Sequence, residues 1–135
     1  MYVFDTNILI DISRGKLNRA YDLMKQSDAS LFKVPAIVKA ELLLGAEKST
    51  NPIEERFRVE SLLLPFDILP FDDQCAMFYA KIRAALESRG MMIGANDYLI
   101  AATALAHSAV LVTNNMKEFK RIPGLSLESW EETCF

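Results

Sequence analysis

Residues 1–7 read MYVFDTN, an apolar run that stops on three small polar side chains, and the meaning of that break decides how the rest of the chain is read. Residues 2–4, β-branched and aromatic, have the character of a short buried strand. Asp5, Thr6 and Asn7 then either make a turn or stand at the strand's carboxyl end as functional groups. Further strand-like runs occur at 31–34, 67–69 and 110–112, with a weaker one at 125–127. Between them lie segments of helical character. Residues 16–26 carry Leu17, Tyr21 and Met24 at helical spacing, and Pro35 suits the first position of a helix reaching about residue 48. Asn51-Pro52 opens a helix through residue 64, Asp72-Asp73 cap a long one to residue 89 that Gly90 ends, and Asn96-Asp97 open one over 98–107.

Strands alternating with helices predict an α/β fold, a parallel sheet covered on both faces. The continuously apolar runs 2–4 and 110–112 suit central strands buried on both sides. In such sheets ligands bind outside the carboxyl ends of the strands, where strand order reverses. Asp5-Thr6-Asn7 leaves one of these strands and Thr113-Asn114-Asn115 the other, so both polar clusters fall where this architecture places its chemistry.

Composition narrows the classes. At 135 residues the chain is expected to form a single domain over 1–135 with a core that needs no metal clip or disulfide. Hydrophobic residues at 51% and charged residues at 24% are the balance of a globular chain and not of a disordered one. The apolar runs are far shorter than the roughly 20 residues of a membrane span, and no basic stretch precedes an apolar one at the N-terminus. The expectation is a soluble, cytoplasmic protein with no membrane association. Cys75 and Cys134 stand far apart without metal-ligand spacing and read as incidental or buried thiols. A net charge of −3 argues against coating nucleic acid by bulk charge and leaves room only for a local basic patch.

Three acids interrupt apolar surroundings. Glu41 has Ile37, Val38 and Leu44 at helical spacing, so its carboxylate projects from the stripe expected to face the sheet. A charge there is expensive unless paired or bound to a cation; the alternatives are a buried ion pair and a stripe that merely ends at its solvent edge. Asp97 reads equally as a first-turn residue favoured by the helix dipole, or as an acid bordering the core side beside Ile100, Ala101, Ala104 and Leu105, with Asn96 left to cap. Asp5 alone divides evenly between turn residue and ligand. Together with Asn115 beyond the strand at 110–112, these residues make a set of hard oxygen donors without His or thiolate, suited to Mg²⁺ or Mn²⁺. Without a cation such carboxylates raise one another's pKa.

These residues sit in the segments FDTNILID from Phe4, PAIVKAELLLGAEKS from Pro35, IGANDYLIAATALAH from Ile93 and VLVTNNMKEFKRIPGLSLESW from Val110. In this order, over nearly the whole chain, they resemble the PIN-domain ribonucleases, specifically the VapC toxins of type II toxin–antitoxin modules. The resemblance implies a three-layer α/β/α fold around a five-stranded parallel sheet. It also implies an acidic metal-binding triad of Asp5, Glu41 and Asp97. Where many PIN domains carry a fourth acid this chain has Thr113-Asn114-Asn115; Asn115 offers a carbonyl oxygen but no charge, and Glu118 lies close enough to supply the carboxylate. Thr6 and Asn7 would orient Asp5, and Thr113 would shape the pocket.

The activity implied is Mg²⁺- or Mn²⁺-dependent endoribonuclease cleavage of structured RNA, a transfer RNA or a ribosomal RNA loop, to stop translation. A cation held by Asp5 and Asp97, with Glu41, would lower the pKa of a water and offset charge on the phosphate. The single histidine, His107, lies at the far end of the Asp97 helix and suits a surface or core-edge place. Phosphate contacts would come from Arg14, Lys16, Lys117, Lys120 and Arg121, for which an ordinary solvated face is the alternative, while Phe119 and Trp130 suit the core. The implied partners are a VapB-like antitoxin, operator DNA only through that antitoxin, and a second copy of the chain as a homodimer. Apolar residues at 42–44 and 57–64 are candidates for those faces, with core packing an equal explanation for most of them. The rival reading is a catalytically idle PIN-like module partnering a DNA-binding protein. A receiver or phosphatase domain fits poorly, because 67–69 ends in Pro70-Phe71 and 110–112 in Thr113-Asn114.

Overall fold

The computed structural model describes residues 1–15, 22 and 24–130. Strands β1 (Tyr2–Phe4), β2 (Phe32–Pro35), β3 (Asp67–Leu69), β4 (Val110–Val112) and β5 (Ser126–Glu128) form one sheet in the order β3-β2-β1-β4-β5, with every pairing parallel. Helices α1 (Thr6–Ser13), α2 (Ala36–Glu47), α3 (Pro52–Leu63), α4 (Asp73–Ser88), α5 (Ala95–Ala106) and α6 (Met116–Phe119) flank it, giving the α/β fold expected. Strand order runs outward from β1 through β2 to β3, then restarts at β4 on the other side of β1. The reversal therefore lies between the carboxyl ends of β1 and β4.

Burial explains why those two strands are central. Val3, Phe4, Leu111 and Val112 have no exposed surface, and Phe4 pairs in register with Val112. Alternation along β1 puts Val3 on one face and Tyr2 and Phe4 on the other. There Phe4 stacks on Phe32 at 5.6 Å and meets Phe66 and Trp130 edge-on at 5.7 and 5.5 Å. The buried Trp130 satisfies its indole N–H on Glu128 Oε1 at 2.9 Å. Trp130 and Phe119 are core residues, as their sequence context suggests, and Cys75 is a buried free thiol. Cys134, Lys16, Leu17 and Tyr21 lie outside the described residues.

Several helix starts differ from the sequence reading. Asp5 is followed at once by α1, whose buried Ile8, Leu9 and Ile12 pack into the core, so the polar break is a strand-to-helix junction. Of the helix expected at 16–26, residues 22 and 24–26 are described and helical. Pro35 is the N-cap of α2 and not its first residue, because it still pairs with Leu69 as the last residue of β2. Gly94, not Asn96, is the N-cap of α5: the amides of Asp97 and Tyr98 both bond the Gly94 carbonyl, at 3.1 and 3.2 Å, which puts Asn96 inside the first turn. The caps at Asn51 and Asp72 are as expected, their side chains accepting from the amides of Glu54 and Cys75. Short α6 was not legible as a helix. Among the described residues, no helix is long and apolar enough to cross a membrane.

Candidate active site

The first carboxylate sits at the strand-order reversal. Asp5 extends β1 by one residue, its amide bonding the Val112 carbonyl at 3.1 Å, and it is only 5% exposed. Thr113, the fully buried residue that follows β4, donates its hydroxyl to Asp5 Oδ2 at 2.6 Å and accepts the Asn115 amide at 3.0 Å. The amides of Thr6 and Asn7 face the carboxylate and favour its charge, though neither closes a capping hydrogen bond. Burial outweighs them and raises the Asp5 pKa above its ordinary value, with the charge of Glu118 adding to the rise.

Glu41 arrives from α2. It is half-buried and accepts the Thr6 hydroxyl on Oε2 at 3.0 Å. Its partner is thus this hydroxyl, and among the described residues no Lys or Arg forms an ion pair with it. The buried stripe of α2 is Val38, Leu42 and Ala46, while Leu44 is 53% exposed, so Glu41 borders the core instead of entering it. Asn7 is exposed in the first turn of α1.

Asp97 and Glu118 meet as a pair. Asp97 stands in the first turn of α5 and shares a side-chain hydrogen bond with Glu118 of α6. Burial is the largest cause that pushes the Asp97 carboxyl up to about 7; the hydrogen bond from Glu118 and the charges of Asp5, Glu118 and Glu41 push the same way. Glu118 is more exposed and has a further donor in Asn115 Nδ2 at 3.1 Å, so its pKa is lowered, first by the Asp97 bond and then by that of Asn115, with a small contribution from the nearby Gly94 amide. The proton of the pair therefore resides on Asp97. Gly94 leaves room for this arrangement, since a Cβ there would approach Asp97 Oδ2 to 3.2 Å. The structure brings Asp5, Glu41, Asp97 and Glu118 into one electrostatic cluster, with Thr6, Thr113 and Asn115 as their hydrogen-bond partners. Asn115 turns its amide nitrogen to Glu118.

Of the cations singled out in the sequence, Lys16 is outside the described residues, and Arg14, Lys117 and Lys120 are exposed. Arg121 is fixed, its Nη1 donating to the Met92 carbonyl at 3.0 Å, and its charge acts on Glu118. No sequence feature pointed to the Met92 contact; only the three-residue spacing put Arg121 near Glu118. His107 is the half-buried C-cap of α5, at the end away from Asp97, with Nε2 buried and unpartnered among the described residues. A groove of about 970 Å³ opens beside Glu41 between α1, α2 and α3, lined among others by Ile10, Leu42, Phe57, Val59 and Leu62.

The family model that describes the PIN domain matches residues 2–125 of this sequence. The chain belongs to the PIN-domain family. Among its relatives, Ribonuclease VapC2 of Rickettsia felis is 37% identical over 98% of this chain and 99% of its own length. The tRNA(fMet)-specific endonuclease VapC of Salmonella typhimurium is 33% identical over 96% of this chain and 97% of its own. In structure this PIN domain is similar to a chain of VapBC2 from Rickettsia felis bound to a promoter DNA fragment, with a TM-score of 0.89, 37% identity and coverage of 96% of this chain and 98% of that one.

PIN-domain nucleases generally use a divalent metal ion. Among the described residues of this PIN domain, no three His, Cys, Asp or Glu side chains form a ready-made cage for one. Instead the acids are closed onto hydroxyls and onto each other. Their chemistry nevertheless fits such an ion: the donors are all hard oxygens, and among the described residues none of the four acids forms an ion pair with Lys or Arg. Burial is the main cause that raises Asp5 and Asp97, and the smaller repulsion from their neighbouring carboxylates adds to it; both are what a bound cation would offset.

Proposed function

We propose that this chain is an Mg²⁺- or Mn²⁺-dependent endoribonuclease toxin of a VapBC-type module, acting in the cytoplasm as one domain over 1–135 on structured RNA. The observation that carries the reading is the cluster of four carboxylates, uncompensated by an ion-paired cation among the described residues, at the strand-order reversal of a PIN fold. Asp5, Glu41 and Asp97 are the proposed metal ligands, with Glu118 as a fourth acid in place of one at Thr113-Asn114-Asn115. A divalent cation there would supply the Lewis acidity that activates water and offsets charge on the phosphate. Thr113 and Thr6 orient Asp5 and Glu41, Asn115 holds Glu118, and Asp97 keeps a proton in the metal-free site that it must release to ligate. The name of the Salmonella relative makes transfer RNA the first substrate to test.

A nuclease of this kind needs restraint, and the relatives solved as VapBC complexes supply the partner class. The groove beside Glu41 suits an apolar segment of a VapB-like antitoxin, whose seat would reach the acid cluster. Operator DNA is then bound through the antitoxin. A homodimer belongs to the same reading, with exposed Ile53 and Leu64 of the α3 region as candidate contacts.

The test is cleavage of total cellular RNA by the purified chain, freed of any partner, in Mg²⁺, Mn²⁺ or chelator, beside Asp5→Ala. A discrete product that needs both the cation and Asp5 is expected. Equal behaviour of wild type and Asp5→Ala would replace this reading by that of an idle PIN module partnering a DNA-binding protein.

A further inference from the structure

The loop 91–94, which leads from α4 into the N-cap of α5, is tied at three points. The Met91 amide bonds the Leu86 carbonyl at 2.9 Å, and the Ile93 amide bonds the hydroxyl of buried Tyr98 at 3.3 Å. From outside, Arg121 Nη1 holds the Met92 carbonyl at 3.0 Å. Of the loop's apolar side chains only Ile93 is buried in the core, while Met91 and Met92, the residues nearest the Arg121 tie, are both exposed. Arg121 also belongs to the turn that carries Glu118, its amide bonding the Glu118 carbonyl at 3.1 Å. That turn is a helix of four residues, too short to hold its orientation by its own hydrogen bonds; buried Phe119 anchors it to the core, and Arg121 ties its outer side.

Two chain segments thus meet along one seam, where Arg121 hydrogen-bonds the Met92 carbonyl and the Glu118 carboxylate lies against Asp97 and near the Gly94 amide. We propose that Arg121 is a positioning residue of the acid cluster, fastening the Glu118-bearing α6 to the loop that leads into Asp97 and so setting the spacing of these two carboxylates for a divalent cation. The inference rests on reading the site as a metal centre. Arginine suits the task because one N–H of its planar fork is committed to the carbonyl while the charge stays beside Glu118. A lysine reaches the same carbonyl with one donor, and a glutamine brings neither the charge nor the reach.

The test uses the purified full chain and Mn²⁺ alone as the probe. Mn²⁺ affinity is measured by calorimetry, and amide hydrogen exchange of residues 92–94 is measured in chelator. The variants are Arg121→Ala, Arg121→Lys and Arg121→Gln, with Arg121→Ala repeated in a Glu118→Gln background. Arg121→Ala is expected to weaken Mn²⁺ binding about tenfold and to speed exchange in the loop about tenfold. Arg121→Lys should restore most of both. Because the effect passes through Glu118, the Mn²⁺ penalty should vanish in the Glu118→Gln background. Wild-type affinity in Arg121→Ala, or a penalty undiminished in that background, overturns the proposal. If Arg121→Ala does not fold, the lysine and glutamine variants decide, and equal Mn²⁺ affinity in those two overturns it. A wild type that binds no Mn²⁺, but whose loop exchange still depends on Arg121, sinks the metal reading and keeps the fastening.

Discussion

The Thr113 hydroxyl donates to Asp5 Oδ2 at 2.6 Å, joining the carboxyl ends of β4 and β1 across 108 residues of sequence. It is the main counterweight to the burial of Asp5, and the same hydroxyl receives the Asn115 amide. Thr113→Val keeps the shape and removes both bonds. The loss should cost about 2 kcal/mol of stability at neutral pH, the value of a hydrogen bond to a buried charge. Urea unfolding in chelator measures it, and an unchanged midpoint would show that the bond contributes nothing.

The pH dependence follows from Asp97. Its carboxyl titrates near its ordinary value of 3.8 when unfolded and at about 7 when folded. Between those values the folded chain holds more protons than the unfolded one, so this group's contribution to stability falls as pH rises. Asp5, raised as well, acts in the same direction, whereas the lowered Glu118 opposes only around and below its ordinary 4.5. The metal-free chain should therefore melt at a higher temperature near about pH 5 than near about pH 8, and Asp97→Asn should flatten that slope. Mn²⁺ affinity should move the other way, weakening below about pH 7 as Asp97 is protonated. A metal-free melting temperature that climbs steadily from acid to alkaline pH would contradict the proton placement.

How far the sequence carried these conclusions differs by element. Strands β1 and β4 were legible because burial on both faces leaves an unbroken apolar run, and α3 and α4 because Asn51 and Asp72 cap them with their side chains. Helix α1 was not, since its start coincides with the polar residues that resemble a turn and its isoleucines favour strand as readily as helix. The α5 start was misplaced because a glycine cap carries no side-chain signature. At the site, Asp5, Glu41 and Asp97 stood out as charges in apolar company. Glu118 was named only for its nearness in sequence to the missing fourth acid, because its pairing with Asp97 exists only once α6 folds against the loop 91–94.

Helices α4 and α5 end alike, and the comparison makes a stability prediction. After α4, Gly90 at φ +65 bonds the Glu87 carbonyl and Met91 bonds Leu86. After α5, Ser108 at φ +50 bonds Leu105 and Ala109 bonds Ala104, the same left-handed closure built with a serine. A side chain in that conformation costs about 1 kcal/mol. Ser108→Gly should recover most of it and raise the melting temperature by a few degrees, without altering RNA cleavage, because the site lies at the other end of α5. A lower melting temperature would mean that the serine is held by something beyond its backbone.

The groove beside Glu41 gives the last prediction. Phe57 lines it yet is 73% exposed, so the free chain gains little from this ring. Phe57→Glu should leave the unfolding free energy within about 0.5 kcal/mol of wild type. If an apolar antitoxin segment seats there, the ring becomes a buried anchor, and its replacement by a carboxylate should weaken the complex by about 2 kcal/mol or more, a thirtyfold loss of affinity. Glu41 on the same wall sharpens the contrast, because a second carboxylate adds repulsion against an acidic segment and attraction for a basic one. The measurement is affinity for the VapB-like partner by calorimetry, alongside RNA cleavage by the free variant. Weakened capture with cleavage retained would separate the restraining surface from the acid cluster. Full-strength capture would move the partner's seat away from α3, toward a face that leaves Phe57 in solvent.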